Sequence, residues 1–317
     1  MQNTCPVSKP VHFTLKIGTR ASPMARAMAD GVRDLIVRLG APIDAKVLPF
    51  TSEGDRIKGD LKIQGGKGTF IKDLERRLLA GEIDCAIHSL KDIPGDLPPH
   101  EDLALIAFLP REDPRDALIL RDGVREDDLR DNPKALIGTS APRRSAMLKQ
   151  LYPGIRTDLC RGNVNSRLRK LDDGEYDAIV LSYAGLKRLN MDGRVSRVYD
   201  TAEILPAIGQ GILAIQVRRA DIERCPFLRD ISDRTAETVA AAERAMLFRL
   251  QGNCHSAIAG HCEILPGGAL HLRGAVFDPA SARFVEAQHQ AHGPDGAEAL
   301  GHHVADALLA QGAAAFI

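Results

Sequence analysis

The stretch IRTDLCRGNVNSRLRKLDDGEYDAIVLS (residues 155–182) decides the fold class. It predicts a strand near 155–160, a helix over 163–172 and a second strand, DAIVLS, at 177–182. A strand, a helix and a strand in close succession imply a parallel sheet covered by helices on both faces. Toward the N-terminus, ALIG (135–138) predicts another strand and residues 142–151 another helix. The same alternation opens the chain. FTLKIG (13–18) predicts a strand. Ser22-Pro23 predicts a helix start, with Ser as the cap and Pro at the first helical position, where its missing N–H costs nothing. Met24, Met28, Val32, Leu35, Ile36 and Leu39 follow helical spacing up to Gly40. AKVLPF (45–50) predicts a strand, a helix runs through Phe70, Leu74 and Leu78 to Gly81, and IDCAIH (83–88) predicts a third strand. Two such units imply two α/β domains with a cleft between them. GILAIQVR (211–218) predicts a strand that returns to the first domain. After Asp233 the pattern changes to an Ala-rich helix near 235–250, strands near 256–264, 269–277 and 283–289, and a helix near 295–311. That order predicts a separate, smaller α+β domain.

Composition agrees with several domains. A chain of 317 residues suggests two or three, and 44% hydrophobic residues rule out a disordered chain. With no Trp and 4% aromatics, the cores must be built from Leu, Ile, Val and Ala. The 42 basic and 42 acidic residues cancel, which argues against general binding to nucleic acid or an anionic membrane. Residues 1–16 hold no apolar run of signal-peptide length, and the longest apolar run, 103–110, is far short of the roughly 20 residues of a bilayer span. A soluble, cytoplasmic protein is expected. The six cysteines (5, 85, 160, 225, 254 and 262) have no framework spacing and read as free thiols, Cys85 and Cys160 as buried small hydrophobes. No heptad or interface stripe is evident, so the default expectation is a monomer.

The zero net charge conceals unlike segments. Residues 138–170 hold eight basic residues against one acidic, a balance of +7, while residues 96–131 hold eleven acidic against five basic, a balance of −6. Arg143, Arg144 and Arg161 stand between strands and helices. In open α/β sheets ligands bind at such strand ends, and Arg offers a planar fork to carboxylates. A solvated helix face is the competing reading. The segment lacks the interleaved aromatics that stack on bases, which weighs against nucleic acid.

Two further segments carry chemistry. HSLKDIP (88–94) places His88, Ser89, Lys91 and Asp92 at a strand end. Asp92 reads either as a general acid/base, kept ionised by Lys91, or as a turn cap. A Ser-Lys or Ser-His hydrolase is also open, without a G-x-S-x-G elbow to support it. QGNCHSAIAGHC (251–262) exposes the Cys254 thiol on a turn. It reads as a nucleophile, as a structural cysteine, or as part of a zinc set with His255, His261 and Cys262, whose spacing fits no usual zinc pattern.

The blocks IGTRASPMA (17–25), GGKGTFIKDLE (65–75), AIHSLKDIP (86–94), REDPRDAL (111–118), IGTSAPRRSAML (137–148), RGNVNSRLRKLDDGEYDAIVLSYAGLKRL (161–189), LPAIGQG (205–211), AERAM (242–246) and LQGNCHSAIAG (250–260) occur in register along the chain. Together they resemble the porphobilinogen deaminase, or hydroxymethylbilane synthase, family of tetrapyrrole biosynthesis. The resemblance implies a transferase that joins four porphobilinogen molecules head to tail, with release of ammonia, into the linear tetrapyrrole hydroxymethylbilane. The chain grows on a dipyrromethane cofactor held by a thioether, here to Cys254. Asn253 before that thiol, and His255, Ser256 and Ala257 after it, depart from the family's usual loop. The implied catalytic residue is Asp92. Cofactor contacts are implied for Lys91, Thr139, Ser140, Arg143, Arg144, Arg161, Arg167 and Arg188, and substrate contacts for Arg20, Ser22 and Gln210. Lys67 would sit on a Gly-rich lid (59–70), and no metal is implied. The implied architecture is two periplasmic-binding-protein-like α/β domains, 13–112 with 211–230 and 116–206, then a smaller α+β domain, 233–317. A flexible tail would cover 1–12, and REDPRD and 205–211 would be the two crossings. The alternative from another class is a non-enzymatic anion-binding protein on the same two-lobed scaffold. It leaves Asp92 and Cys254 without a role.

Overall fold

Three sheets organise the described residues. The computed structural model describes residues 13–40, 43–51, 68–95, 100–252, 256–279 and 281–317. The expected tail 1–12, most of the Gly-rich stretch with Lys67, and Asn253, Cys254 and His255 lie outside the described residues. The first lobe runs β1 (Phe13–Arg20), α1 (Pro23–Arg38), β2 (Ile43–Phe50), α2 (Gly68–Leu79), β3 (Cys85–Ser89) and β4 (Leu103–Phe108). The chain then crosses to β5 (Asp116–Leu120), α3 (Glu126–Asp131), β6 (Leu136–Thr139), α4 (Pro142–Leu151), β7 (Arg156–Leu159), α5 (Val164–Asp172), β8 (Ala178–Ser182), α6 (Tyr183–Arg188) and β9 (Arg197–Val198). It returns to β10 (Leu213–Arg218) and the short α7 (Pro226–Asp230). The third domain follows as α8 (Arg234–Arg249), β11 (Ile258–Ile264), β12 (Ala269–Phe277), β13 (Phe284–His292) and α9 (Ala297–Ala310).

The two lobes share one strand plan. Their orders are β2-β1-β3-β10-β4 and β7-β6-β8-β5-β9. In each, the fourth strand is reversed: β10 is antiparallel to β3 and β4, and β5 to β8 and β9. This corrects the expectation of wholly parallel sheets. The reversed strands arrive through the inter-lobe crossings, and an antiparallel neighbour needs no helical crossover of its own. The strands LALIAF (β4) and DALIL (β5) were not expected, because no helix separates them and the periodicity has nothing to alternate with. The rest of the α/β pattern, the return of 211–218 to the first sheet and the three-stranded third domain match the reading of the sequence.

Local chemistry explains the elements. Ser22 Oγ accepts the Ala25 N–H at 3.3 Å, and Pro23 opens α1. Asn163 Oδ1 accepts the Ser166 N–H at 2.9 Å and starts α5. The central strand β3 is buried on both faces. Its Cys85 and Ile87 pack with Leu15, Ile17 and Val32 under α1, while Ala86 packs with Leu74 and Leu78 of α2. Each fully buried Leu or Ile contributes roughly 1.5–3 kcal/mol, which anchors the strand ends that carry the site. The third domain packs on both lobes. Met246, Leu250 and Val304 share a core with Leu90 and Ile212, and Ala257, Ala259 and Phe277 share one with Tyr152 and Leu205.

Candidate active site

At the cleft end of β3 the chain tightens into a 3-10 turn, Leu90–Asp92. Leu90 is buried, and its N–H donates to Ile212 O at 3.0 Å, so the turn is pinned to the return crossing. That leaves Lys91 and Asp92 half-buried at the edge. Just beyond, the Gly95 N–H donates to Gly252 O at 3.3 Å. This bond ties the chain two residues before Cys254 to the segment three residues after Asp92. Arg244 on α8 reaches the same segment, through a 3.5 Å hydrogen bond from Nη1 to Ile93 O. Burial lowers the Arg244 pKa, and among the described residues no carboxylate pairs with it. Sequence reasoning assigned Arg244 no role, although it lies in the AERAM block.

Across the cleft, the second lobe presents its arginines in two groups. Arg143 and Arg144, at the start of α4, are buried and converge on Asp116, the first residue of β5. Arg143 Nη1 stands 2.7 Å from Asp116 Oδ2, and Arg144 Nη2 donates to Asp116 Oδ1 at 2.7 Å. Burial alone would raise the Asp116 pKa, but the two guanidinium groups outweigh it and hold the carboxyl well below its ordinary range. Carbonyl oxygens of Leu205 and Val180 take further N–H groups of the pair. Arg167 is the second group. Its Nε donates to Gly162 O at 2.8 Å, and among the described residues it has no carboxylate partner. Burial lowers its pKa, Arg144 adds to that, and Asp92 is one of the groups close enough to oppose it. Arg161 is half-buried at the same edge, Thr139 is buried and Ser140 half-buried. The remaining cations of the +7 segment do not converge here: Lys149, Arg156 and Arg169 are exposed, and Lys170 pairs with Glu175.

Other expected site residues are drawn into the frame. Gln210 is fully buried on the return crossing. Arg188 Nε donates to Glu112 at 2.8 Å and its Nη2 to Gly211 O at 3.1 Å, so it spans both crossings. Gly211 has φ +92, and a Cβ there would overlap the Glu112 carbonyl oxygen. Glu243 of α8 is fully buried and was not singled out from the sequence. It accepts from Arg111 at 2.6 Å, from the Gly209 N–H at 2.6 Å and from the Cys262 N–H at 2.7 Å. One carboxylate thus ties the third domain to both crossings. Ser22 Oγ serves as the α1 cap, and Arg20 ends β1, half-buried beside it.

The competing readings find less support. His88 is buried and engaged at 2.9 Å with Gln216, so it is not poised beside Ser89 as a base. His261 and Cys262 are consecutive in β11 and point to opposite faces, with Cys262 in the hydrophobic core. They do not converge on one metal ion. Cys85, Cys160, Cys225 and Cys262 are free and buried, as expected for the first two.

Comparison with known proteins bears on the whole chain. The family model described as "Porphobilinogen deaminase, dipyromethane cofactor binding domain" matches residues 15–225. The one described as "Porphobilinogen deaminase, C-terminal domain" matches residues 238–310. The porphobilinogen deaminase of Burkholderia mallei (strain SAVP1) is 42% identical over 319 residues, covering 99% of this chain and 94% of that protein. Porphobilinogen deaminase 2 of Streptomyces coelicolor is 41% identical over 299 residues, covering 94% and 95%. Among solved structures, the VFT2 domain of Bordetella pertussis BvgS aligns with a TM-score of 0.42 at 14% identity, over 69% of this chain and 86% of that one. The methionine binding protein MetQ aligns with a TM-score of 0.43 at 13% identity, over 69% and 89%. With both lobes and the third domain matched, the chain belongs to the porphobilinogen deaminase family.

Proposed function

We propose a division of labour among the cleft residues for the reaction of this family, the head-to-tail joining of four porphobilinogen molecules with release of ammonia into hydroxymethylbilane. The dipyrromethane cofactor, when bound, supplies the pyrrole onto which new units add. The residues suit such a carboxylate-rich group: Arg167 is a half-buried cation with no carboxylate partner among the described residues, and withdrawing a charge from water is costly until a counter-charge arrives. Arg161 and Arg167, with Thr139 and Ser140, would hold the cofactor's acetate and propionate groups. Lys91 would hold others from the first lobe, and Arg20 and Ser22 would orient the incoming substrate. Arg143, Arg144 and Arg188 would support that surface from behind, through Asp116 and the crossings. Cys254 would carry the thioether, and Lys67 would belong to a lid that keeps water from the electron-deficient pyrrole left when ammonia departs.

Asp92 is the proposed catalytic residue. Its carboxylate would face the pyrrole N–H groups, stabilise positive charge as ammonia leaves and assist the proton transfers. The observation that supports this assignment is the Gly95–Gly252 hydrogen bond, which holds the segment after Asp92 beside Gly252, two residues before Cys254 in the sequence. The matching experiment is porphobilinogen consumption by Asp92→Asn holoenzyme. Turnover is expected to fall by about 10²- to 10⁴-fold with the cofactor retained. Near-normal turnover would remove Asp92 from the mechanism.

We also propose domain limits of 13–112 with 211–230, 116–206 and 233–317, matching the three sheets, and a cytoplasmic monomer with neither nucleic acid nor membrane as partner. Four buried free thiols suit a reducing compartment. Among the described residues no helix is long and apolar enough to cross a membrane.

A further inference from the structure

We propose that Gln210 is a positioning residue for Lys91, and through it for the Asp92 turn, acting from the hinge between the lobes; this rests on the role of Asp92 given above. Gln210 is fully buried, and its amide makes four hydrogen bonds to three segments. Oε1 accepts from Lys91 Nζ of the first lobe at 3.1 Å and from Arg143 Nη2 of the second at 3.3 Å. Nε2 donates to Pro114 O of the outward crossing at 2.5 Å and to Asp116 Oδ1 of β5 at 2.8 Å. Lys and Arg can only donate, and a carbonyl or carboxylate can only accept, so the amide has one orientation. Two N–H groups and two lone pairs are all it has, and all are occupied. A substrate carboxylate would find nothing on Gln210 to bind.

The arrangement does something else. Asp116 and Pro114 aim the amide, and the amide aims Lys91, which directly precedes Asp92. Arg143 shares the same acceptor, so two cations from opposite lobes meet at one oxygen. The placement of the second lobe is thereby transmitted to the turn that carries Asp92. Asp116 and Arg143 hold the amide to the second lobe, so a change in lobe separation must stretch the Lys91 bond.

The test is a double-mutant cycle on holoenzyme, with Gln210→Met and Lys91→Met read by kcat and by intact mass. Gln210→Met is expected to keep its cofactor mass and to lose about 10- to 100-fold in kcat, the scale of a small displacement of a reacting group. In the Lys91→Met background the same change is expected to cost less than about 3-fold, since residues acting through one another are non-additive. Losses that multiply independently, or full activity in Gln210→Met, would overturn the proposal. A readout free of turnover accompanies it: acetylation of the Lys91 amine, followed by peptide mass, should run several-fold faster in Gln210→Met. An unchanged rate would contradict the Lys91 link. Should Gln210→Met fail to fold, Gln210→Asn takes its place, keeping an amide that falls one carbon short of Lys91. Wild-type holoenzyme that consumed no porphobilinogen would overturn the proposed function instead, and the acetylation result would still decide the link.

Discussion

Asp116 is where the unlike segments of the chain meet. It comes from the acidic stretch 96–131, and its partners Arg143 and Arg144 from the basic stretch 138–170. Buried charges of this kind are stable only while each is paired and hydrogen-bonded. Asp116→Asn leaves two buried guanidinium groups sharing a neutral amide, so we expect a loss of about 3–5 kcal/mol in unfolding free energy, measured by denaturant titration. A change below about 1 kcal/mol would mean that the arginines find other acceptors. At this scale the sequence was informative about residue types and silent about pairing. Asp92 and the arginines stood out by their positions at strand ends. Nothing local marked Asp116 as their counter-ion, because the partners lie 28 positions apart and meet only when β5 is laid beside β8. Glu243 escaped notice for the same reason, its Arg111 partner being 132 positions away.

Among the elements, β3 shows how packing reaches the site. Its His88 engages Gln216 of β10 at 2.9 Å, and Gln216 Nε2 donates to Glu75 of α2 at 3.0 Å. The carboxylate fixes the Gln216 amide, so its Oε1 faces His88 and the ring carries its proton on Nε2. Burial lowers the His88 pKa from its ordinary 6.5, against the weaker pull of Gln216 and Glu75. The unfolded chain therefore binds more protons than the folded one once the pH falls below about 6.5, and stability is lost from there downward. His261 is lowered in the same direction, also chiefly by burial. Thermal melts between pH 8 and 5 should show Tm falling with acid, with a shallower slope in His88→Asn. Equal slopes would place the sensitivity elsewhere. Element types were mostly legible here, since α1, β3, α4 and β8 carry clear periodicity. Strand direction was not: β5 and β10 owe their reversal to crossings whose course depends on long-range contacts such as Glu112 N–H to Gly211 O at 3.1 Å.

For the whole molecule, the central feature is that three domains converge on the two crossings. Glu243 anchors the third domain to Arg111 and Gly209, Arg188 bridges Glu112 and Gly211, and Gln210 joins both lobes. Glu243→Ala should loosen the third domain first, seen as faster amide exchange in β11 and α8 than in β1 or β6. Uniform protection would show that the apolar contacts alone hold it. The zero net charge acquires a structural meaning in this frame. Much of it is internal pairing between segments, and Arg167 and Arg244, for which no carboxylate partner stands among the described residues, are cations suited to a growing polycarboxylate. The central claim is that such a chain grows on Cys254. Its most direct test is the intact mass of protein produced in a tetrapyrrole-making host, before and after a limited dose of porphobilinogen, with Cys254→Ser alongside. The expected result is a surplus of one dipyrromethane that is absent from Cys254→Ser, and a ladder of one-pyrrole increments upon addition of substrate. A bare-chain mass in protein that still turns over porphobilinogen, or a surplus that survives Cys254→Ser, would contradict it.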